Sequence, residues 1–145
     1  NYVIPGDWPL FILLSRYGKI KFLNEVMSVY SIHSGGAWST QNDIYKSSRT
    51  ALMFENLYKE FKNTKYQKNI GETVFNLYYY LAGEYSKEND VKNARKAGLK
   101  FISQRQYNVR LSKKALYIDF LKFYFPVFNN LVSNYKKMFS IQRGN

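Results

Sequence analysis

The sequence predicts a mostly α-helical chain with a small mixed α/β segment at its N-terminal end, and three observations predict it. After residue 42 the apolar side chains recur at the three-and-four spacing of amphipathic helices. Between Gly18 and Gly35 the runs are instead short and rich in β-branched and aromatic residues, the composition of strands. The pair Gly35-Gly36 breaks any regular element and separates the two patterns.

The elements follow in order. Asp7 to Tyr17 reads as a short helix: Asp7 suits an N-cap, Pro9 is tolerated in the first turn, and Gly18 suits the stop. Lys19–Leu23 reads as one short strand and, after the turn Asn24-Glu25, Val26–His33 as a second. Ser34–Ser39 is a loop. Thr40-Gln41-Asn42-Asp43 has the form of a capping signal ahead of an amphipathic run ending near Lys62. A second long helix covers about Gln67 to Ser86. A third starts near Asn89 or Asp90, with Val91, Ala94, Ala97, Gly98, Phe101 and Ile102 on one face. Small residues on that face allow close approach, so these two helices form an antiparallel hairpin. The pair is similar to a single tetratricopeptide-type unit, and no second copy follows. A last helical region runs from about Ser112 to Met138, kinked or split by Pro126.

Composition narrows the function. Aromatics at 19% and hydrophobics at 46% of 145 residues mark a folded chain. With no Cys, disulfides, thiolate chemistry and cysteine metal sites are excluded, which fits a cytoplasmic protein, and with one His no zinc site is expected. No secretory leader is visible at the N-terminus. The net charge of +12 is uneven, +2 over residues 1–86 and +10 over residues 87–145. The second part therefore calls for an anionic partner: membrane headgroups, a phosphorylated ligand or nucleic acid. Lys113, Lys114, Lys122, Lys136 and Lys137 interleave with Phe120, Phe123, Tyr124, Phe125 and Phe128, as in basic helices that lie on anionic membranes. An ordinary packed helix with a solvated basic face has the same pattern. Ala115–Val132 contains Asp119, Lys122, Asn129 and Asn130 and is too polar to span a bilayer. No nucleic-acid motif accompanies the charge, so nucleic acid ranks last.

Chemistry is concentrated near the N-terminal end. Gly6-Asp7-Trp8-Pro9-Leu10, Gly18-Lys19-Ile20, and Val29-Tyr30-Ser31-Ile32-His33 with Gly35-Gly36 stand in that order. Over about residues 3–40 this pattern resembles the C-terminal part of the catalytic domain of family 2 glycosyltransferases. The resemblance implies the GT-A fold and transfer of a sugar from a nucleotide-sugar donor to a glycan or lipid-linked acceptor hydroxyl. It divides the chain into residues 1–40, the end of the catalytic domain, and residues 41–145, a helical tail.

The resemblance also implies roles. Asp7 matches the general base, although an Asp there can equally be a helix cap. Gly6 and Trp8 would lie beside the acceptor, with Trp8 packing an indole face on a sugar ring. His33 matches a histidine near the donor diphosphate and a divalent metal, Mn²⁺ or Mg²⁺; a buried strand-end histidine is the alternative. Gly35, Gly36 and Trp38 complete the matching loop and would contact substrate. The family commonly has Arg where this chain has Ser31, which removes a cation from beside the phosphates. The aspartates are Asp7, Asp43, Asp90 and Asp119, so the Asp-x-Asp metal motif of the nucleotide-binding half is not in this chain. The resemblance thus implies a fragment inactive by itself, in the cytoplasm or peripheral at the inner face of a membrane. A non-catalytic helical interaction module, or a peripheral membrane-binding element with a basic surface, is the competing reading.

Overall fold

A computed structural model describes residues 7–29, 33, 35–36 and 38–125. The described residues are mostly helical: α1 (Trp8–Leu14), α2 (Asp43–Glu60), α3 (Gln67–Lys87), α4 (Val91–Ser103), a 3₁₀ turn (Arg105–Tyr107) and α5 (Lys113–Tyr124). α3 is central, packing against α2, α4, α5 and the 3₁₀ turn, while α5 also packs on α4.

Local chemistry explains most boundaries. The side chains of Asn42, Asp90 and Ser112 accept from the amides of Tyr45, Asn93 and Ala115 and so cap α2, α4 and α5. After α3, Asn89 takes a left-handed φ of 58°, a conformation Asn tolerates, and turns the chain back into α4 within three residues. The expected hairpin of the second and third long helices is therefore α3–α4. The anticipated face of α4 is the buried one at Ala94, Ala97, Gly98 and Phe101.

The core is aromatic. Phe101, fully buried, meets the rings of Phe75, Tyr79, Phe120 and Phe123 edge-on at centroid distances of 5.5–6.1 Å. Around it lie Met53, Leu57, Val74, Leu81, Ala82 and Leu116. Phe120 and Phe123 of α5 thus point into the bundle and not toward a membrane; Phe128, Lys136 and Lys137 lie outside the described residues. Two carboxylates tie helices together. Glu55 of α2 accepts from Tyr78 Oη of α3 at 2.9 Å and pairs with Lys100 of α4. Asp119 of α5 accepts from Tyr79 Oη at 2.7 Å and from Lys122 Nζ at 2.9 Å.

These phenols make stability fall at high pH. Burial, then the hydrogen bond to Asp119, pushes Tyr79 up to about 12; burial, then Glu55, also raises Tyr78. A phenol in the unfolded chain titrates near pH 10. The stabilisation is complete below about pH 10 and is lost as pH climbs toward about 12, because the unfolded state releases its protons first. Thermal melts followed by circular dichroism from about pH 9 to about pH 12 should show this decline. Tyr79→Phe should make it shallower; an unchanged slope would remove the buried phenol from the account.

Gly71 of α3 sets the position of the 3₁₀ turn. A Cβ there would lie 2.6 Å from Cδ2 and Cε2 of Tyr107. The Tyr107 hydroxyl meets that of Tyr58 at 2.9 Å. Gly71→Ala would gain about 1 kcal/mol of helix propensity but overpack this contact, which typically costs about 1–3 kcal/mol. The expected net result is a loss of up to about 2 kcal/mol in urea unfolding. In a Tyr107→Ala background the same change should stabilise, and equal effects in both backgrounds would contradict the contact.

The structure departs from the sequence expectation in four places. Lys19–Leu23 and the described residues of Val26–His33 form no strand, and residues 19–29 are all exposed. No strand lies among the described residues to accept their ladder hydrogen bonds, and an unpaired strand is not stable in water. α1 ends at Leu14 rather than near Tyr17: the Ser15 hydroxyl bonds back to Ile12 O, and the amides of Arg16 and Tyr17 reach only three residues back, tightening the last turn. α2 is capped by Asn42, which accepts from Tyr45 N, while the Thr40 hydroxyl donates to Gly36 O in the preceding turn. α5 ends at Tyr124, with Phe125 extended (φ −119°, ψ 96°) as the residue before Pro126 must be; the rest of the expected last helix lies outside the described residues.

Candidate functional site

The N-terminal segment is attached to the bundle at one end. Ile12 and Leu13 of α1 pack against the core cluster. The Arg16 guanidinium lies 3.7 Å from Glu60 and over the Phe61 ring at 5.4 Å. α1 thus leans on the C-terminal end of α2, and the stretch that follows it carries large apolar groups in water: Phe22 is 85% exposed, Val26 95% and Val29 91%. Beside α1, Phe11, Leu14, Tyr17 and Ile20 line an open hollow of about 450 Å³.

Asp7 stands at the N-terminal boundary of α1. Its backbone carbonyl accepts from Phe11 N at 3.0 Å, but its carboxylate makes no capping hydrogen bond and is exposed. The geometry therefore leaves the side chain uncommitted. Trp8, next to it, is 64% exposed. Gly6 lies outside the described residues.

His33 heads a compact turn. Its carbonyl accepts from Gly36 N at 3.3 Å and from Ser39 Oγ at 3.0 Å. Gly36 O in turn accepts from Thr40 N, Thr40 Oγ1 and Ser39 Oγ, each at 3.1 Å. A Cβ on Gly36 would fall 2.5 Å from Ser39 Oγ, so a side chain there would displace the hydroxyl that closes the turn. The imidazole is exposed, so the buried strand-end histidine weighed from the sequence is not what forms. Gly35 is exposed and Trp38 is 37% exposed on the same turn. The structure thus brings His33, Gly35, Gly36 and Trp38 into one turn, and no hydrogen bond among the described residues joins Asp7 to it.

No family model, curated protein or solved structure matches this chain. The site is therefore defined by its own residues. Among the described residues no three His, Cys, Asp or Glu side chains gather into a metal site. His33 alone does not make one.

Two features were not read from the sequence. Arg49, over the Tyr45 ring at 5.7 Å, has a buried Nε without a hydrogen-bond partner; such a site depends on tertiary packing and leaves no sequence signal. The second was visible in the sequence: from Val91 to Ile118 there is no Asp or Glu at all, against eight Lys and Arg. Among the described residues no helix is long and apolar enough to cross a membrane.

Proposed function

We propose that this chain is the C-terminal, acceptor-side part of an inverting glycosyltransferase of family 2, acting in glycan or surface-polysaccharide synthesis. The observation that carries this reading is the ordered match from Gly6-Asp7-Trp8-Pro9-Leu10 to His33 and Gly35-Gly36, in which Asp7 and His33 are exposed with side chains free to act. Asp7 takes the proton of the acceptor hydroxyl as that oxygen attacks the anomeric carbon. The nucleoside diphosphate leaves from the opposite face, which inverts the configuration. Trp8 offers its ring to the acceptor sugar. The turn of His33, Gly35, Gly36 and Trp38 faces the donor, with His33 directed to the diphosphate and its Mn²⁺ or Mg²⁺. Residues 19–29, unpaired and exposing Ile20, Phe22, Val26 and Val29, fit a sheet completed by the nucleotide-binding half. The acceptor, glycan or lipid-linked, is reached at the inner face of the membrane.

A panel of nucleotide sugars with Mn²⁺ tests this. The chain alone should transfer no sugar, because donor, metal and base must be held together for reaction. The same chain joined to a nucleotide-binding half carrying an Asp-x-Asp motif should transfer with inversion. Turnover by the chain alone, or none by the joined protein with any donor, would sink the proposal. The second reading, a non-catalytic helical module with a basic docking surface, is favoured by the acid-free stretch from Val91 to Ile118.

A further inference from the structure

The 3₁₀ turn and the start of α5 enclose a groove of about 610 Å³, lined by Arg105, Gln106, Leu111, Lys113, Leu116 and Tyr117. We infer that this groove binds a phosphate-bearing ligand, a phosphate ester or diphosphate attached to an apolar or aromatic group. The inference stands apart from the transferase reading.

Charge is the first support. Neither Arg105 nor Lys113 has an ion pair among the described residues. No carboxylate is among the groove's lining residues, and Glu55 and Asp119 are committed elsewhere, Glu55 to Lys100 and Tyr78, and Asp119 to Lys122 and Tyr79. Arg105 spends one donor on Ile102 O at 3.3 Å and keeps the rest of its fork. A concave site with cations and no counter-ion concentrates anions. The planar guanidinium fits a phosphate through paired hydrogen bonds, and the ammonium adds a point charge.

Rigidity is the second. Tyr107 anchors the turn between Gly71 and the Tyr58 hydroxyl. The Asn108 carboxamide accepts from the amides of Arg110 and Leu111 and donates to Leu111 O at 2.7 Å, so the loop is closed on itself. Leu116 is 3% exposed and belongs to the core. A groove already held in shape loses little entropy on binding. The third support is the floor: Leu111 is apolar and half-buried, and Tyr117 leaves its ring 48% exposed on the same groove. An inorganic anion alone would leave this surface unused, whereas a ring or an acyl chain next to the phosphate would cover it.

The phosphate can come from a soluble compound or from a lipid headgroup, and two probes separate the sources. The full chain is titrated at low salt with phenyl phosphate and, separately, with phosphatidylglycerol vesicles against phosphatidylcholine vesicles. Calorimetry and ¹⁵N spectra should show saturable binding to at least one anionic probe, with the largest shifts at the amides of Gln106, Leu111 and Tyr117. Arg105→Gln with Lys113→Gln should weaken it by about tenfold or more, the scale of losing charge-assisted hydrogen bonds. Lys92→Gln with Lys96→Gln removes the same charge from the exposed side of α4 and should change affinity by less than about twofold, as expected for screened distant charges. Phenyl phosphate binding identifies a soluble phosphate. Binding only to phosphatidylglycerol, lost in the groove variant, identifies a headgroup. No saturable binding to either probe, equal losses in both double variants, or shifts in the wild-type protein that avoid the groove would overturn the inference. The wild-type shifts decide it even where a variant unfolds.

Discussion

Phe101→Ala should lower the unfolding free energy by about 3–5 kcal/mol, the usual cost of emptying a buried aromatic site. Phe101 is fully buried and from α4 touches rings on both α3 and α5: Phe75 and Tyr79 on one side, Phe120 and Phe123 on the other. The cavity cannot collapse easily, because those four rings are held on two separate helices. A domain of this size is commonly stable by only about 5–15 kcal/mol, so the variant should unfold at much lower urea with an unchanged slope. Phe101→Leu should recover part of the loss. Phe125→Ala is the internal comparison; that ring is 44% exposed and its removal should cost under about 1 kcal/mol. A Phe101→Ala protein within about 1 kcal/mol of wild type would mean that the ring cluster is not the centre of the core.

Asp7→Asn should cut turnover by about 10²-fold or more in the protein that joins this chain to a nucleotide-binding half, because a positioned general base contributes about 10²–10⁴-fold. The substitution keeps shape and removes only the proton acceptor. Donor affinity should hold while kcat and kcat/KM fall together, the sign of an interaction made only in the transition state. His33→Ala should act differently and weaken donor affinity. The helix-cap role is separable by stability: a working cap lost to Ala costs about 0.5–2 kcal/mol. Asp7 makes no capping hydrogen bond, so Asp7→Ala should leave the melting temperature unchanged. Near-normal turnover of Asp7→Asn would withdraw the carboxylate from catalysis.

The helices after residue 42 were legible because their signals are local. The observed Gln67–Lys87 differs from the expected Gln67–Ser86 by one residue, and Asp90 caps α4 where the sequence places a helix start. Caps and three-and-four spacing act within one or two turns, so no distant partner is needed to read them. The strands were misread because β-branched and aromatic residues state only a preference. Lys19–Leu23 and Val26–Val29 have that preference and no neighbour among the described residues to pair with.

The candidate site was legible as residue types and not as geometry. Asp7 and His33 were singled out from the pattern around them. That Asp7 caps nothing, and that His33 is exposed at the head of a turn closed by Ser39 and Gly36, are facts of hydrogen bonding that no spacing encodes.

What the sequence determined by itself was the helical class after residue 42, the hairpin of α3 and α4, the buried face of α4 and the concentration of positive charge after residue 86. These follow from periodicity, caps and composition, which are properties of neighbouring residues. Only the tertiary structure decided that Phe120 and Phe123 turn inward onto Phe101, that Glu55 and Asp119 each bind a phenol and a lysine, and that Arg105 and Lys113 meet across one groove. Those outcomes join residues up to 45 positions apart. They depend on which helix faces pack together, and the shared burial of apolar surface sets that choice.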